Sequence, residues 1–470
     1  MNLENQNLMP KEIVKHLNKY IIGQDEAKKS IAIAIRNRYR RMLLTNELKE
    51  EVLPKNILMI GPTGVGKTEI ARRMAHILNA PFVKIEATKF TEIGYVGRNV
   101  ESMIRDLASE AYRLVKQIKE KEVREKAEII AEERIMELLI KKNNQNEDAS
   151  VVKSKKTAKK NDDIEIDVLK SEEIVNLNDE IKEKYKLGQY DNDYIEIESA
   201  PGMDMVSSMG IISATSDLEE INMNFKEMLD NAFSKKTKKK KIQVSKAKKM
   251  FIEEEIEKLL DMEALCEESV KLAENTGIIF IDEIDKIISN GEVSKGPNVS
   301  REGVQRDILP IVEGTVVKTR YGNLKTDHVL FIAAGAFHYS KPSDLIPELQ
   351  GRFPIRVELK SLSKDDFYKI LMETKNSLIK QYTSLLKVEK INIDFEDCGV
   401  SKIAEYCDNV NKKNDNIGAR RLYAIMEKLI EDISFNCDKY ANKTVKIDEK
   451  FVSEKLKNLV EDVDLSKYIL

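Results

Sequence analysis

The chain has 470 residues, 41% of them hydrophobic and 34% charged, so it is long enough for two to four domains and is not disordered throughout. Its 78 basic and 81 acidic side chains nearly cancel, which argues against a chain-wide electrostatic footprint for nucleic acid. The four cysteines form no CxxC pair and the four histidines no HExxH, so neither a zinc centre nor a disulfide framework is suggested, and no apolar run nears the roughly 20 residues that span a bilayer.

Residues 23–41 carry Ala27, Ile31, Ile35 and Tyr39 at helical spacing, with Lys and Arg on many of the other positions, which predicts an amphipathic helix. Residues 56–60 form a short apolar run, 61–68 a glycine-rich segment and 69–78 a second helical pattern, giving the order strand, loop, helix. Apolar stretches at 82–85, 277–281 and 329–333 read as further strands, buried on both faces as parallel sheets require. Far more chain than a βαβ crossover uses separates the second strand from the third, so a domain is inserted between about Arg113 and Ala264.

The insert opens as the continuation of a helical pattern from about 100 to 140, and passes through the lysine-rich tract 153–160, a Met-, Ser- and Gly-rich segment at 202–210 and a basic run at 235–241. Helical spacing returns at 251–260. After about residue 360 the pattern is helical, with strand candidates at 388–393 and 444–447. The expected fold is therefore α/β, with a parallel-sheet domain made of residues 1–112 and 265–359, a mainly helical insert at 113–264 and a smaller α+β domain at 360–470.

Gly61-Pro62-Thr63-Gly64-Val65-Gly66-Lys67-Thr68 fits GxxxxGK[ST], the loop whose backbone N–H groups surround phosphate oxygens at a helix N-terminus. Nucleotide contacts are expected from Gly64, Val65, Gly66, Lys67, Thr68 and the following Glu69; Lys67 would reach the β and γ phosphates and Thr68 would place its hydroxyl on Mg²⁺. The apolar strand at 278–281 ends in Asp282-Glu283, where α/β sheets bind ligands. Asp282 suits Mg²⁺ held through water and Glu283 suits activation of the attacking water, so ATP and Mg²⁺ are the expected substrate and cofactor. Acidic residues after a strand also suit the N-terminal charge of a helix.

IFIDEID after GPTGVGKT is the Walker A and B pairing of AAA+ ATPases. The surrounding segments resemble the Clp/HSP100 branch and in particular the HslU (ClpY) family: Tyr20-Ile21-Ile22-Gly23-Gln24, Gly94-Tyr95-Val96-Gly97, Ser300-Arg301-Glu302-Gly303-Val304-Gln305, Pro347-Glu348-Leu349-Gln350-Gly351-Arg352 and Ile417-Gly418-Ala419-Arg420-Arg421. The ClpX relatives carry an N-terminal cysteine zinc domain that this chain lacks, whereas the large insert and the ending Tyr468-Ile469-Leu470 look like HslU.

The resemblance implies that Ile22 lines the adenine pocket, that Arg352 is an arginine finger entering a neighbouring subunit's site beside Glu348, and that Arg420 is the sensor-2 arginine. By the same resemblance Tyr95 and Val96 grip polypeptide in a central pore, and Tyr468, Ile469 and Leu470 insert into a partner. By themselves, Ile22 suits a core position, Arg352, Glu348 and Arg420 suit surface salt bridges, and Tyr95 and Val96 suit burial under a neighbouring loop. No sensor-1 residue is assigned, because Ala334-Gly335-Ala336 stands where many relatives place a polar one. The function implied is a cytoplasmic homo-oligomeric ring, a hexamer, that hydrolyses ATP, unfolds protein substrates and feeds a threonine-type HslV peptidase. No Ser/His/Asp or Cys/His constellation for proteolysis stands out in this chain. A nucleic-acid motor or clamp loader would share the ATP machinery, with Arg36, Arg38, Arg40, Arg41 and the lysine tracts in its favour and the near-neutral total against it.

Overall fold

The computed structural model describes residues 8–91, 98–154, 184–185, 187–199, 238–288, 301–413 and 416–461. Tyr95, Val96, Tyr468, Ile469 and Leu470 lie outside them. The chain divides into two compact units, Met1–Lys116 with Glu263–Leu470, and Gln117–Met262.

In chain order the strands are β1 (Ile57–Ile60), β2 (Phe82–Glu86), β3 (Tyr194–Ser199), β4 (Lys238–Gln243), β5 (Ile278–Asp282), β6 (Val316–Thr319), β7 (Gly322–Lys325), β8 (Leu330–Gly335), β9 (Ile355–Glu358), β10 (Asn392–Phe395) and β11 (Thr444–Ile447). Among the described residues, five make one all-parallel sheet in the order β2-β5-β8-β1-β9. The period-2 alternation of strands divides their side chains between two cores. Ile57, Met59, Phe280 and Ile332 pack with Ile13, Ile31, Ile70 and Met74 of the helices Pro10–Asn18, Asp25–Met42 and Lys67–Ile77. Leu58, Ile279, Ile281 and Phe331 pack on the other face with Met103 and Leu107 of the helix Ser102–Ser154 and Ile308 and Ile311 of the helix Arg301–Glu313. Each such side chain contributes about 1.5–3 kcal/mol by leaving water.

Three strand expectations need correction. β2 is an edge strand, with Lys84 exposed and Phe82 and Val83 only half-buried, so burial on both faces does not hold there. The sheet gains a second edge strand, β9, whose four residues alternate Ile355 and Val357 with Arg356 and Glu358 and are too few to stand out in the sequence. The strand expected at 388–393 lies at β10. Leu378, Tyr382 and Leu386 keep helical spacing through Leu378–Val388, and the chain turns at Lys390 (φ 60°) before extending.

The C-terminal part has its own core, in which Phe367, Leu371, Ile403, Cys407, Met426 and Leu429 meet beneath the parallel pair β10–β11. In the second unit the antiparallel pair β3–β4 lays Ile195 and Ile197 on Ala131, Ile135, Leu139 and Phe251. The Arg134 guanidinium lies 4.1 Å from the centre of the Phe251 ring and 2.7 Å from Glu254. No described helix is long and apolar enough to cross a membrane.

All four cysteines are free; Cys398 is exposed, and Cys407 is buried with its thiol pushed up to about 12 by burial. Because the thiolate is the reactive species, brief alkylation of the native protein at pH 8 should modify Cys398 and spare Cys407 until the C-terminal core unfolds. Peptide mass spectrometry checks this, and early labelling of Cys407 would contradict the packing described.

Candidate nucleotide-binding site

The loop between β1 and the helix Lys67–Ile77 is shaped by glycine. Gly64 has φ +74°, and a Cβ built there would lie 1.9 Å from the carbonyl oxygen of Ile417, so only glycine fits. The opposing turn Ile417-Gly418-Ala419 comes from the C-terminal part, and the Ala419 N–H donates to the Gly64 carbonyl at 3.0 Å. The Lys67 ammonium donates to the carbonyls of Gly61 at 2.5 Å and Pro62 at 2.9 Å, so the loop satisfies its own lysine. Burial lowers the Lys67 pKa below the lysine range, against the opposing pull of Asp282 and Asp285, while nearby Arg420 adds to the lowering.

Asp282 is the last residue of β5. Its Oδ2 lies 2.9 Å from the Lys84 ammonium on β2, where the parallel register sets Lys84 opposite Phe280. The Thr68 hydroxyl donates to the same oxygen at 3.4 Å, a long bond that ties the helix start to the strand end. Glu283 follows with φ 56°, a left-handed conformation that a non-glycine residue adopts only at a cost, commonly at functional sites. Asp285, in the turn Ile284–Ile287, accepts from the Phe337 N–H at 3.2 Å and so links this segment to the loop after β8.

A cavity of about 540 Å³, within the usual range for small-molecule sites, opens among these segments. Ile22, Gly64, Val65, Gly66, Lys67, Thr68, Glu69, Asp282, Glu283 and Arg420 all contribute to its wall. Ile22 sits on a segment fastened at several points. The buried Lys28 ammonium donates to the Ile21 carbonyl and to Asn18, each at 2.8 Å, and the Gln24 amide exchanges bonds of 2.8 and 3.0 Å with the backbone of Lys360. The Glu69 carboxylate is gripped by Arg72 and Arg73, each at 2.6 Å; burial alone would raise its pKa, but the two guanidinium bonds outweigh this and hold it below the usual carboxylate range. What Glu69 offers an anion is therefore its backbone at the helix start.

Glu348 and Arg352 lie apart from that cavity wall, both exposed on the short helix Pro347–Arg352. The Arg352 guanidinium donates to Glu313 through Nε at 3.0 Å and Nη2 at 2.9 Å, and the buried Asn56 amide donates to the Arg352 carbonyl at 3.1 Å.

Other cavity residues were not singled out from the sequence. Tyr423 follows Arg420 by three positions on the helix Arg420–Phe435, a helical spacing that could have marked it. Asp285 stands in the acidic run after β5, and His338 shortly after the glycine of β8. Thr374, Asn376 and Leu378 reach the cavity from the C-terminal part with no motif to mark them.

The fit to a nucleoside triphosphate rests on the glycine cradle, the lysine held by two loop carbonyls, and a hydroxyl–carboxylate pair suited to Mg²⁺. Gly64→Ala should weaken nucleotide binding by about tenfold or more while leaving helix content unchanged, since overpacking costs about 1–3 kcal/mol and must push the loop off Ile417. Titration calorimetry with ATP, alongside circular dichroism, checks this; unchanged affinity would mean that the loop relaxes freely.

Comparison with known proteins agrees with this geometry. The profile of the ATPase family associated with various cellular activities (AAA) matches residues 57–152, and that of the AAA domain (Cdc48 subfamily) matches residues 205–356. The chain is 51% identical to the ATP-dependent protease ATPase subunit HslU of Thermoanaerobacter pseudethanolicus, over 99% of this chain and 100% of that one. It is 50% identical to the ATP-dependent protease ATPase subunit ClpY of Bacillus subtilis, over 100% of both chains, and 50% identical to HslU of Thermosipho africanus, over 98% and 99%. With half its residues shared along its whole length, a P-loop on a parallel sheet and paired carboxylates at the end of β5, the chain belongs to the HslU (ClpY) family of ATP-dependent protease ATPase subunits within the AAA ATPases.

Proposed function

We propose that the chain is the ATP-hydrolysing, protein-unfolding subunit of a two-component cytoplasmic protease, acting as a homo-hexameric ring that delivers unfolded substrate to a separate threonine-type peptidase of the HslV class. The observation that carries this reading is the convergence of the P-loop, Asp282-Glu283 and Arg420 on one cavity, in a chain that matches ATPase subunits of proteases end to end.

ATP is the substrate. The backbone of residues 64–69 and the Lys67 ammonium would hold its phosphates and Ile22 would flank its base. Thr68 and Asp282 would hold Mg²⁺, which would supply charge neutralisation at the phosphates. Glu283 accepts a proton from water as the new oxygen–phosphorus bond forms and the bond to the β-phosphate's bridging oxygen breaks, leaving ADP and phosphate. Arg352 and Glu348 act on the neighbouring subunit's nucleotide. Arg352 is free to do so because its pairing with Glu313 is a surface one, 42% and 38% exposed, worth about 0–1 kcal/mol. Arg420 reports nucleotide occupancy to the C-terminal part. Tyr95 and Val96 grip polypeptide by van der Waals contact, which requires no particular substrate sequence. Tyr468, Ile469 and Leu470 dock on the peptidase, where burial of each side chain is worth about 1.5–3 kcal/mol and the ring multiplies the contact.

Glu283→Gln should bind ATP as tightly as wild type yet neither hydrolyse it nor unfold a tagged fluorescent substrate, because the amide takes up no proton. Turnover near the wild-type rate would remove Glu283 from this role, and wild-type protein that hydrolyses ATP without unfolding any substrate would remove the motor reading.

Deleting residues 468–470 should leave ring assembly and basal ATPase intact while abolishing stimulation of the peptidase. Loss of folding in that deletion would place the tail in the C-terminal core instead.

A further inference from the structure

Gln305 is one of the few polar side chains in the core, 2% exposed on the helix Arg301–Glu313, and both ends of its amide are used. Its nitrogen donates at 2.9 Å to the carbonyl of Ile287, the last residue of the turn that directly follows Glu283 and carries Asp285. Its oxygen accepts at 2.9 Å from the N–H of Ile346, the residue that caps the short helix bearing Glu348 and Arg352. The same long helix reaches that short helix again at its far end, where Glu313 holds the Arg352 guanidinium. One buried amide thus spans from the segment that sets Glu283 to the segment that aims Arg352. Asn56 also holds the short helix, but its second bond runs to the Phe331 N–H at 3.0 Å near the opposite end of β8, away from the acidic turn.

We propose that Gln305 is a positioning residue that ties each subunit's own Glu283 turn to the Arg352 it presents to its neighbour, so that the two cannot shift independently. The inference rests on the reading that Arg352 acts on the neighbouring subunit's nucleotide. An amide suits this task because its donor and acceptor lie at fixed separation on one planar group, and burial keeps water from substituting for either bond. An apolar residue of the same size would fill the space and cut the link, leaving the Ile287 carbonyl and the Ile346 N–H without this partner.

Rings of Gln305→Met should lower kcat for ATP about tenfold or more while KM stays within about twofold, since the P-loop contacts are untouched. A purely structural role would lower the melting temperature and leave kcat per assembled ring unchanged. The decisive measurement mixes variant and wild-type subunits. Each Gln305→Met subunit damages its own site and its neighbour's, so equal proportions should retain about a quarter to a third of the wild-type ATPase, against about a half for Glu283→Gln subunits mixed the same way. If Gln305→Met fails to assemble, Gln305→Asn, which keeps both groups one methylene shorter, is mixed instead and should fall below the Glu283→Gln curve. Coincidence with the Glu283→Gln curve would overturn the inference. Failure of the underlying reading looks different: rings of Arg352→Ala and Glu283→Gln subunits would then show no rescue over either variant alone.

Discussion

The close approach of the P-loop backbone to the Ile417-Gly418-Ala419 turn is the contact on which the site depends. Gly64 and Gly418 face each other so tightly that a Cβ on either would meet the other segment's backbone within 3 Å, and the Ala419 N–H closes the pair on the Gly64 carbonyl. One hydrogen bond of this kind is worth about 1 kcal/mol. The steric exclusion matters more, because it lets the sheet and the C-terminal core share a single cavity wall. Arg420 and Tyr423 reach the cavity only because the helix they occupy starts at that turn.

The sheet determines what arrives from the other side. Strands buried on both faces leave no room for polar chemistry along their length, so polar groups collect at the carboxyl ends. The end of β1 carries the P-loop, the end of β5 carries Asp282 and Glu283, and the end of β8 carries Gly335 and Ala336. Three ionised groups there already have protein partners: Lys67 has two carbonyls, Asp282 has Lys84, and Glu69 has Arg72 and Arg73. A phosphate entering the cavity takes over the Lys67 ammonium from these two carbonyls and does not have to strip a bare charge of water, which would cost far more.

A second set of polar contacts works at longer range. Lys28 and Gln24 fasten the segment around Ile22, while Gln305, Asn56 and Glu313 fasten the helix of Glu348 and Arg352. Lys28, Gln305 and Asn56 are buried, and the two amides are bonded at both ends, so they hold loops to the sheet at positions where apolar packing alone would leave the backbone polar groups unsatisfied. Rigidity at the cavity therefore comes from a few polar crosslinks laid over two apolar cores.

What the sequence determined by itself is what local chemistry can encode. The glycine spacing before Lys67, the apolar runs of β1, β5 and β8, the acidic pair after Ile281 and the helical spacing through Ile31 and Ile35 each act within a few residues, so they were legible without any fold. Tertiary structure decided the rest. The edge position of β2, the existence of β9 and the start of β10 depend on which strand or helix lies alongside. Gln24 finds its partner 336 residues away, Asn56 finds Phe331 275 residues away, and the Glu313–Arg352 pair spans 39 residues. A hydrogen bond senses distance in space and is indifferent to separation along the chain, so no periodicity or motif announces such pairs, and only the folded molecule brings them together.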